Sequence, residues 1–156
     1  MQILDELAAI TAKLDEEGIQ YALCGGLAMA IYALPRATLD VDLMIEMDSL
    51  FRVRRAMQEL GFTLTAEPME FHGGDVRIFR LCKIDRGSGE DLVLDLLIVT
   101  PGTRKAWDSR RKVEWEGGQL AVVSPAGLIA LKSLRGSGQD HDDISYLRSI
   151  SDEQTD

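Results

Sequence analysis

Cysteines, histidines and aromatic residues are scarce in this chain, and cations are outnumbered. The 156 residues include two cysteines, two histidines and 6% aromatics. Cys24 and Cys82 stand among apolar neighbours without CxxC spacing. They read as small buried hydrophobes of a reducing compartment, which argues against a disulfide framework. His72 and His141 have no ligand spacing with other His or Cys, which argues against a zinc centre. No apolar run approaches the ~20 residues of a membrane span. The first residues carry Asp5 and Glu6 instead of a basic n-region, so the expectation is a cytoplasmic protein without a signal peptide. Seventeen Lys and Arg against 26 Asp and Glu give a net charge of -9. Such a chain is repelled by phosphate backbones unless its cations cluster, which argues against a long non-specific nucleic-acid footprint.

What remains is a well-provided folded chain. Apolar residues make up 46% and charged residues 28%, enough for one core built mainly from Leu, Ile, Val and Ala. One domain over residues 1–150 is expected, followed by a polar, acidic tail at 151–156 that frays. Helical periodicity over residues 3–14 ends at Gly18. A short strand at 21–24 leads through Gly25 and Gly26 into a helix at 27–34, stopped by Pro35. A strand at 38–45 follows, then a helix capped by Asp48 and Ser49 and ended by Gly61. Strands are expected at 62–65, 76–84 and 91–99, the last two separated by the turn residues 86–89. A hairpin at 113–123 turns at Gly117-Gly118. Ser124 and Pro125 open a helix at 127–134, and a last helix runs from about residue 140 to 150. The order indicates an α/β or α+β sandwich with a mixed β-sheet, of which the α+β form, with helices packed mainly on one face and two C-terminal helices, is the expectation.

The informative chemistry starts with Leu39-Asp40-Val41-Asp42-Leu43. Residues two apart in a strand share a face, so Asp40 and Asp42 project together. Two nearby carboxylates repel when ionised, and a hard divalent cation between them removes the repulsion. The alternative is a half-exposed strand with solvated carboxylates. Asp95 weighs against it, because it interrupts the apolar run Leu92 to Val99. A carboxylate there needs compensation by a metal, a salt bridge or hydrogen bonds. Asp91 shares its face but starts the strand, where water reaches it. Gly25-Gly26, between strand and helix, lets the backbone turn sharply and present N–H groups to a phosphate; the plain alternative is a tight turn.

Together, Cys24-Gly25-Gly26, Leu39-Asp40-Val41-Asp42-Leu43 and Leu94-Asp95-Leu96 resemble the DNA polymerase β-like nucleotidyltransferase superfamily. Arg36 and Thr38, and Leu128 to Lys132 followed by Asp140-His141-Asp142-Asp143-Ile144, are similar to its small stand-alone prokaryotic members, including the abortive-infection AbiEii-like toxin group. The resemblance implies transfer of a nucleoside monophosphate from a nucleoside triphosphate to a hydroxyl of RNA, protein or a small molecule, releasing pyrophosphate. It implies two Mg2+ ions, with Mn2+ as a substitute, held by Asp40, Asp42 and Asp95, the last also helping to deprotonate the acceptor. Gly25 and Gly26 would contact the phosphates, with Arg36, Thr38 and Lys132 assisting. Partners implied are the triphosphate, an acceptor, and either a cognate antitoxin or a second copy, with no membrane. The competing expectation is a catalytically inactive binding module of the same fold, or a toxin–antitoxin component. Two basic runs, Arg52 to Arg55 and Arg104 to Lys112, read first as solvated faces.

Overall fold

The computed structural model describes residues 2–32, 40–135 and 148. Helix α1 (Ile3–Glu16) buries Leu7, Ile10 and Leu14 along one stripe. Gly18 takes φ +69° just past its end. The Gly18 N–H donates to the Asp15 carbonyl at 3.1 Å and the Ile19 N–H to that of Leu14 at 2.9 Å. This is the paired closure that a left-handed residue permits.

The chain then alternates strand β1 (Ala22–Cys24), helix α2 (Gly25–Ile31), strand β2 (Asp40–Ile45) and helix α3 (Leu50–Glu59). Strands β3 (Leu64–Thr65), β4 (Met69–Phe71), β5 (Val76–Ile84) and β6 (Asp91–Ile98) follow. Helix α4 (Arg104–Asp108), strands β7 (Arg111–Trp115) and β8 (Gly118–Val122) and helix α5 (Pro125–Arg135) complete the described chain. Among the described residues the sheet runs β3-β5-β6-β2-β1-β8-β7, with β4 also against β5. The β2–β6 and β1–β8 pairs are parallel and the others antiparallel, so the sheet is mixed.

Pairing register sorts the side chains into two faces. On one face lie Leu23, Val41, Leu43, Leu81, Leu94 and Leu96, all buried. Lys83 shares that face and bonds Glu6 of α1 at 2.9 Å, while Lys13 of α1 pairs with Glu59 of α3. Helices α1 and α3 therefore cover this face, and the core forms between them and the sheet. The opposite face carries Cys24, Asp40, Asp42, Asp95 and Arg80, because Cys24 stands beside Asp42, Asp42 beside Asp95 and Arg80 beside Asp95.

Several boundaries differ from expectation. Helix α2 begins at Gly25 itself, so the glycines form its first turn. Ser49 makes no capping hydrogen bond; a 3-10 turn at Met47–Ser49 leads into α3 instead. The strand expected at 62–65 shortens to Leu64–Thr65, because Phe62 turns into the core at 1% exposure. Strand β4 and helix α4, three and five residues long, carry too few periods to be read from sequence. Ser124 behaves as expected, its Oγ accepting from the Gly127 N–H at 3.0 Å. The helix expected over 140–150, the tail 151–156, and Arg36 and Thr38 lie outside the described residues.

Candidate active site

Strand β2 delivers Asp40 and Asp42 to one face because the residues that alternate with them, Val41, Leu43 and Ile45, are drawn into the core. Strand β6 does the same with Leu92, Leu94, Leu96 and Ile98, which leaves Asp95 facing Asp42 across the parallel pair. Cys24, Gly25, Gly26, the three aspartates and Lys132 all line one cavity of about 570 Å³. Carboxylates from two strands far apart in sequence thus line the same cavity.

Gly25 meets Asp42 more closely than any other residue type would allow. Its φ is +69°, and a Cβ placed there would stand 2.7 Å from the Asp42 Cγ. The glycine is required twice over, by backbone conformation and by the carboxylate lying against it. Lys132, on α5, is only 4% exposed, and its charge reaches the Cys24 thiol. That thiol is pushed well above its ordinary value by burial first and by the Asp42 charge second, which makes it a poor nucleophile.

Sequence reasoning missed Arg80. Its guanidinium donates to both Asp95 oxygens, Nε to Oδ1 at 2.8 Å and Nη2 to Oδ2 at 2.9 Å. This two-pronged bond compensates Asp95, which is 7% exposed. The pairing raises the Arg80 pKa further still, chiefly through the Asp95 hydrogen bonds. A signal existed: a hairpin closing at 85–90 opposes Ile84 to Asp91 and therefore Arg80 to Asp95.

Asp40 binds a proton more readily than an ordinary carboxylate, because of partial burial first and the Asp95 charge second, with Arg80 opposing. A raised acid stabilises the fold fully below its unfolded value, 3.8, and that contribution is lost as pH rises through the folded value. Ionised Asp40 therefore opposes folding at neutral pH in the absence of a cation. The metal-free Asp40→Asn variant is expected to unfold at higher urea than wild type at pH 7, and the advantage should shrink as pH falls through the carboxylate range. Coincident urea midpoints at pH 7 would contradict this.

Hard divalent cations such as Mg2+ take oxygen donors, and the three carboxylates that line this one cavity are donors of that kind. Among the described residues no three His, Cys, Asp or Glu are already gathered closely enough to hold an ion. Arg80 occupies both Asp95 oxygens, so a cation shared by all three aspartates competes with it.

No protein-family model matches the sequence, and no curated protein matches it by sequence. Solved structures do match in shape. The lincomycin-bound lincosamide antibiotic adenylyltransferase LnuA superposes with a TM-score of 0.60 at 15% identity, covering 94% of this chain and 96% of that one. The antibiotic-resistance factor ANT(2")-Ia, solved with adenylyl-2"-tobramycin, gives 0.59 at 14% identity over 97% and 99%. A candidate nucleotidyltransferase from Thermotoga maritima gives 0.57 at 15% identity over 98% and 92%. The fold is the nucleotidyltransferase fold. Within it, the mixed sheet sets the aspartates on the face opposite α1 and α3. Among the described residues no helix of this nucleotidyltransferase fold is long and apolar enough to cross a membrane.

The remaining basic residues are largely engaged elsewhere. Arg110 stacks 3.9 Å above the Trp107 ring and bonds Gln20 at 2.8 Å. Arg111 bonds the Tyr32 hydroxyl at 3.3 Å, and Arg104 reaches Glu46 at 3.4 Å. The cavity beside Arg110, Arg111 and Lys112 shares no lining residue with that of the aspartates.

Proposed function

We propose that the protein is a metal-dependent nucleotidyltransferase that moves a nucleoside monophosphate from a nucleoside triphosphate to a hydroxyl group and releases pyrophosphate. The observation that carries this reading is the convergence of Asp40, Asp42 and Asp95 with Gly25 and Lys132 in one cavity. Asp40, Asp42 and Asp95 would hold Mg2+, or Mn2+ in its place. When bound, two such ions neutralise the carboxylates and stabilise the entering and leaving oxygens of an in-line displacement. The backbone of Gly25 and Gly26 would lie against the β and γ phosphates, and the buried Lys132 ammonium would offset their charge. Arg36 and Thr38 are proposed as further nucleotide contacts.

In the transfer the acceptor oxygen bonds to the α phosphorus while the bond from that phosphorus to the bridging oxygen breaks. Pyrophosphate leaves with the electron pair, and the hydroxyl proton passes to Asp95. The lincomycin and tobramycin complexes of the structural neighbours support a small-molecule acceptor. The finer assignment to the abortive-infection AbiEii-like group rests on Lys132 and the acidic run from Asp140. A copurifying antitoxin that blocks transfer would be its sign, and a protein that purifies and works alone would count against it.

Calorimetric titration of ATP with Mg2+ tests the reading, with saturable binding expected only when the cation is present. Arg80 supplies a second test. Removing the competing guanidinium in Arg80→Gln is expected to tighten Mn2+ binding about tenfold, roughly 1.4 kcal/mol, read by electron paramagnetic resonance of free Mn2+. Unchanged or weaker Mn2+ binding would separate Asp95 from the metal site.

A further inference from the structure

Beyond the aspartates, the cavity continues along the sheet as an apolar wall. Met69 of β4, Val76 and Ile78 of β5 and Leu97 of β6 line it, together with Phe71 at the end of β4. Register puts them on the same face as Asp95, since Ile78 stands beside Leu97 and Met69 beside Ile78. Phe71 lines the cavity and is 49% exposed, so part of its ring is open to a ligand there. The wall is held firmly. The Thr100 hydroxyl donates to the Asp75 carbonyl at 2.6 Å, tying the turn after β4 to the loop after β6. His72, next to Phe71, lines the same cavity and adopts φ +53°, a strained conformation for a residue with a Cβ.

The strand order gives this wall a direction. From one side to the other run β1 with the Gly25 bend, then β2, β6, β5 and β4. If the nucleotide binds as argued above, its leaving phosphates lie at the β1 end beside Gly25. In-line attack requires the entering hydroxyl on the opposite side of the α phosphorus. That side is the β6–β5–β4 end, beyond Asp95. The cations among the described lining residues are Arg80, engaged with Asp95, and Lys132, whose charge reaches Cys24 beside Gly25. Among the described residues a polynucleotide acceptor would find no row of cations there, on a chain of net charge -9.

We propose that Met69, Phe71, Val76, Ile78 and Leu97 form the acceptor subsite, and that the acceptor is a small hydroxyl compound with an apolar or aromatic body. Phe71 supplies a stacking surface, and the strands on either side fix how far the hydroxyl reaches towards Asp95. The proposal rests on the nucleotidyltransferase reading and narrows its acceptor.

The test uses the full chain saturated with Mg2+ and α,β-methylene-ATP, which fills the nucleotide end without reacting. Naphthaleneethanol is titrated as the acceptor probe and followed by its fluorescence. Saturable binding is expected, about tenfold weaker in Phe71→Ser and retained in Phe71→Trp, with nucleotide affinity unchanged in both. Phe71 is half exposed, so the serine variant should fold; Ile78→Thr gives a second, independent reading of the wall. Absence of saturable probe binding, equal binding by Phe71→Ser, or displacement of the probe by a short RNA overturns the assignment. If α,β-methylene-ATP itself fails to bind wild type, the nucleotidyltransferase reading falls and this proposal with it. Normal nucleotide binding without probe binding removes the acceptor assignment alone.

Discussion

Asn at position 42 is expected to lower nucleotidyl transfer by on the order of a thousandfold while leaving the fold intact. The substitution keeps the shape of the side chain and removes one charge. Asp42 occupies the middle of the site: Gly25 lies against its carboxylate, Asp95 stands beside it on β6, and Cys24 beside it on β1. No other carboxylate of the cavity can replace it, because β2 is pinned by Val41, Leu43 and Ile45 in the core. Label transfer from α-labelled ATP, with circular dichroism as the check on folding, measures the effect. Transfer at the wild-type rate by Asp42→Asn would mean that the carboxylate faces the cavity without a part in the chemistry.

Ala at position 25 is expected to cost both stability and activity, and Gly18 makes the two separable. Gly18 and Gly25 share φ +69°. A side chain in that region costs roughly 1–2 kcal/mol at either position. Nothing lies within 4 Å of a Cβ at Gly18, whereas at Gly25 it would press on the Asp42 carboxylate. Gly18→Ala should therefore lose only the backbone term and transfer normally. Gly25→Ala should lose that term and also reduce transfer by on the order of a hundredfold, because Asp42 must move. Chemical denaturation and label transfer on the two variants check this, and equal activity losses would contradict the close fit of Gly25 against Asp42.

The parts of the site that could be read from the sequence are those set by strand periodicity. Asp40 and Asp42 alternate with core residues, and Asp95 interrupts a run that had to be buried, so both patterns announced their strands. The hidden parts depend on pairing between strands. Arg80 sits in Val76–Ile84 among Arg77 and Lys83 and looks like one more solvated cation. Only the hairpin register opposes it to Asp95. Phe71 belongs to a three-residue strand with no alternation of its own, and its place in the cavity follows from pairing with Val76. Trp107, in contrast, is 2% exposed and belongs to the core. The expected fold and the observed shape agree, although no sequence comparison carries the fold. A fold can be shared at 15% identity, since it tolerates exchange of one apolar residue for another where volume and pattern are kept.

Diffraction from a crystal soaked with Mn2+ and α,β-methylene-ATP tests the central claim most directly. The account predicts anomalous Mn2+ density bridging Asp40, Asp42 and Asp95, with Arg80 turned away from Asp95 and the phosphates against Gly25. Density for the nucleotide or the metal elsewhere, with Arg80 still joined to both Asp95 oxygens, would contradict it.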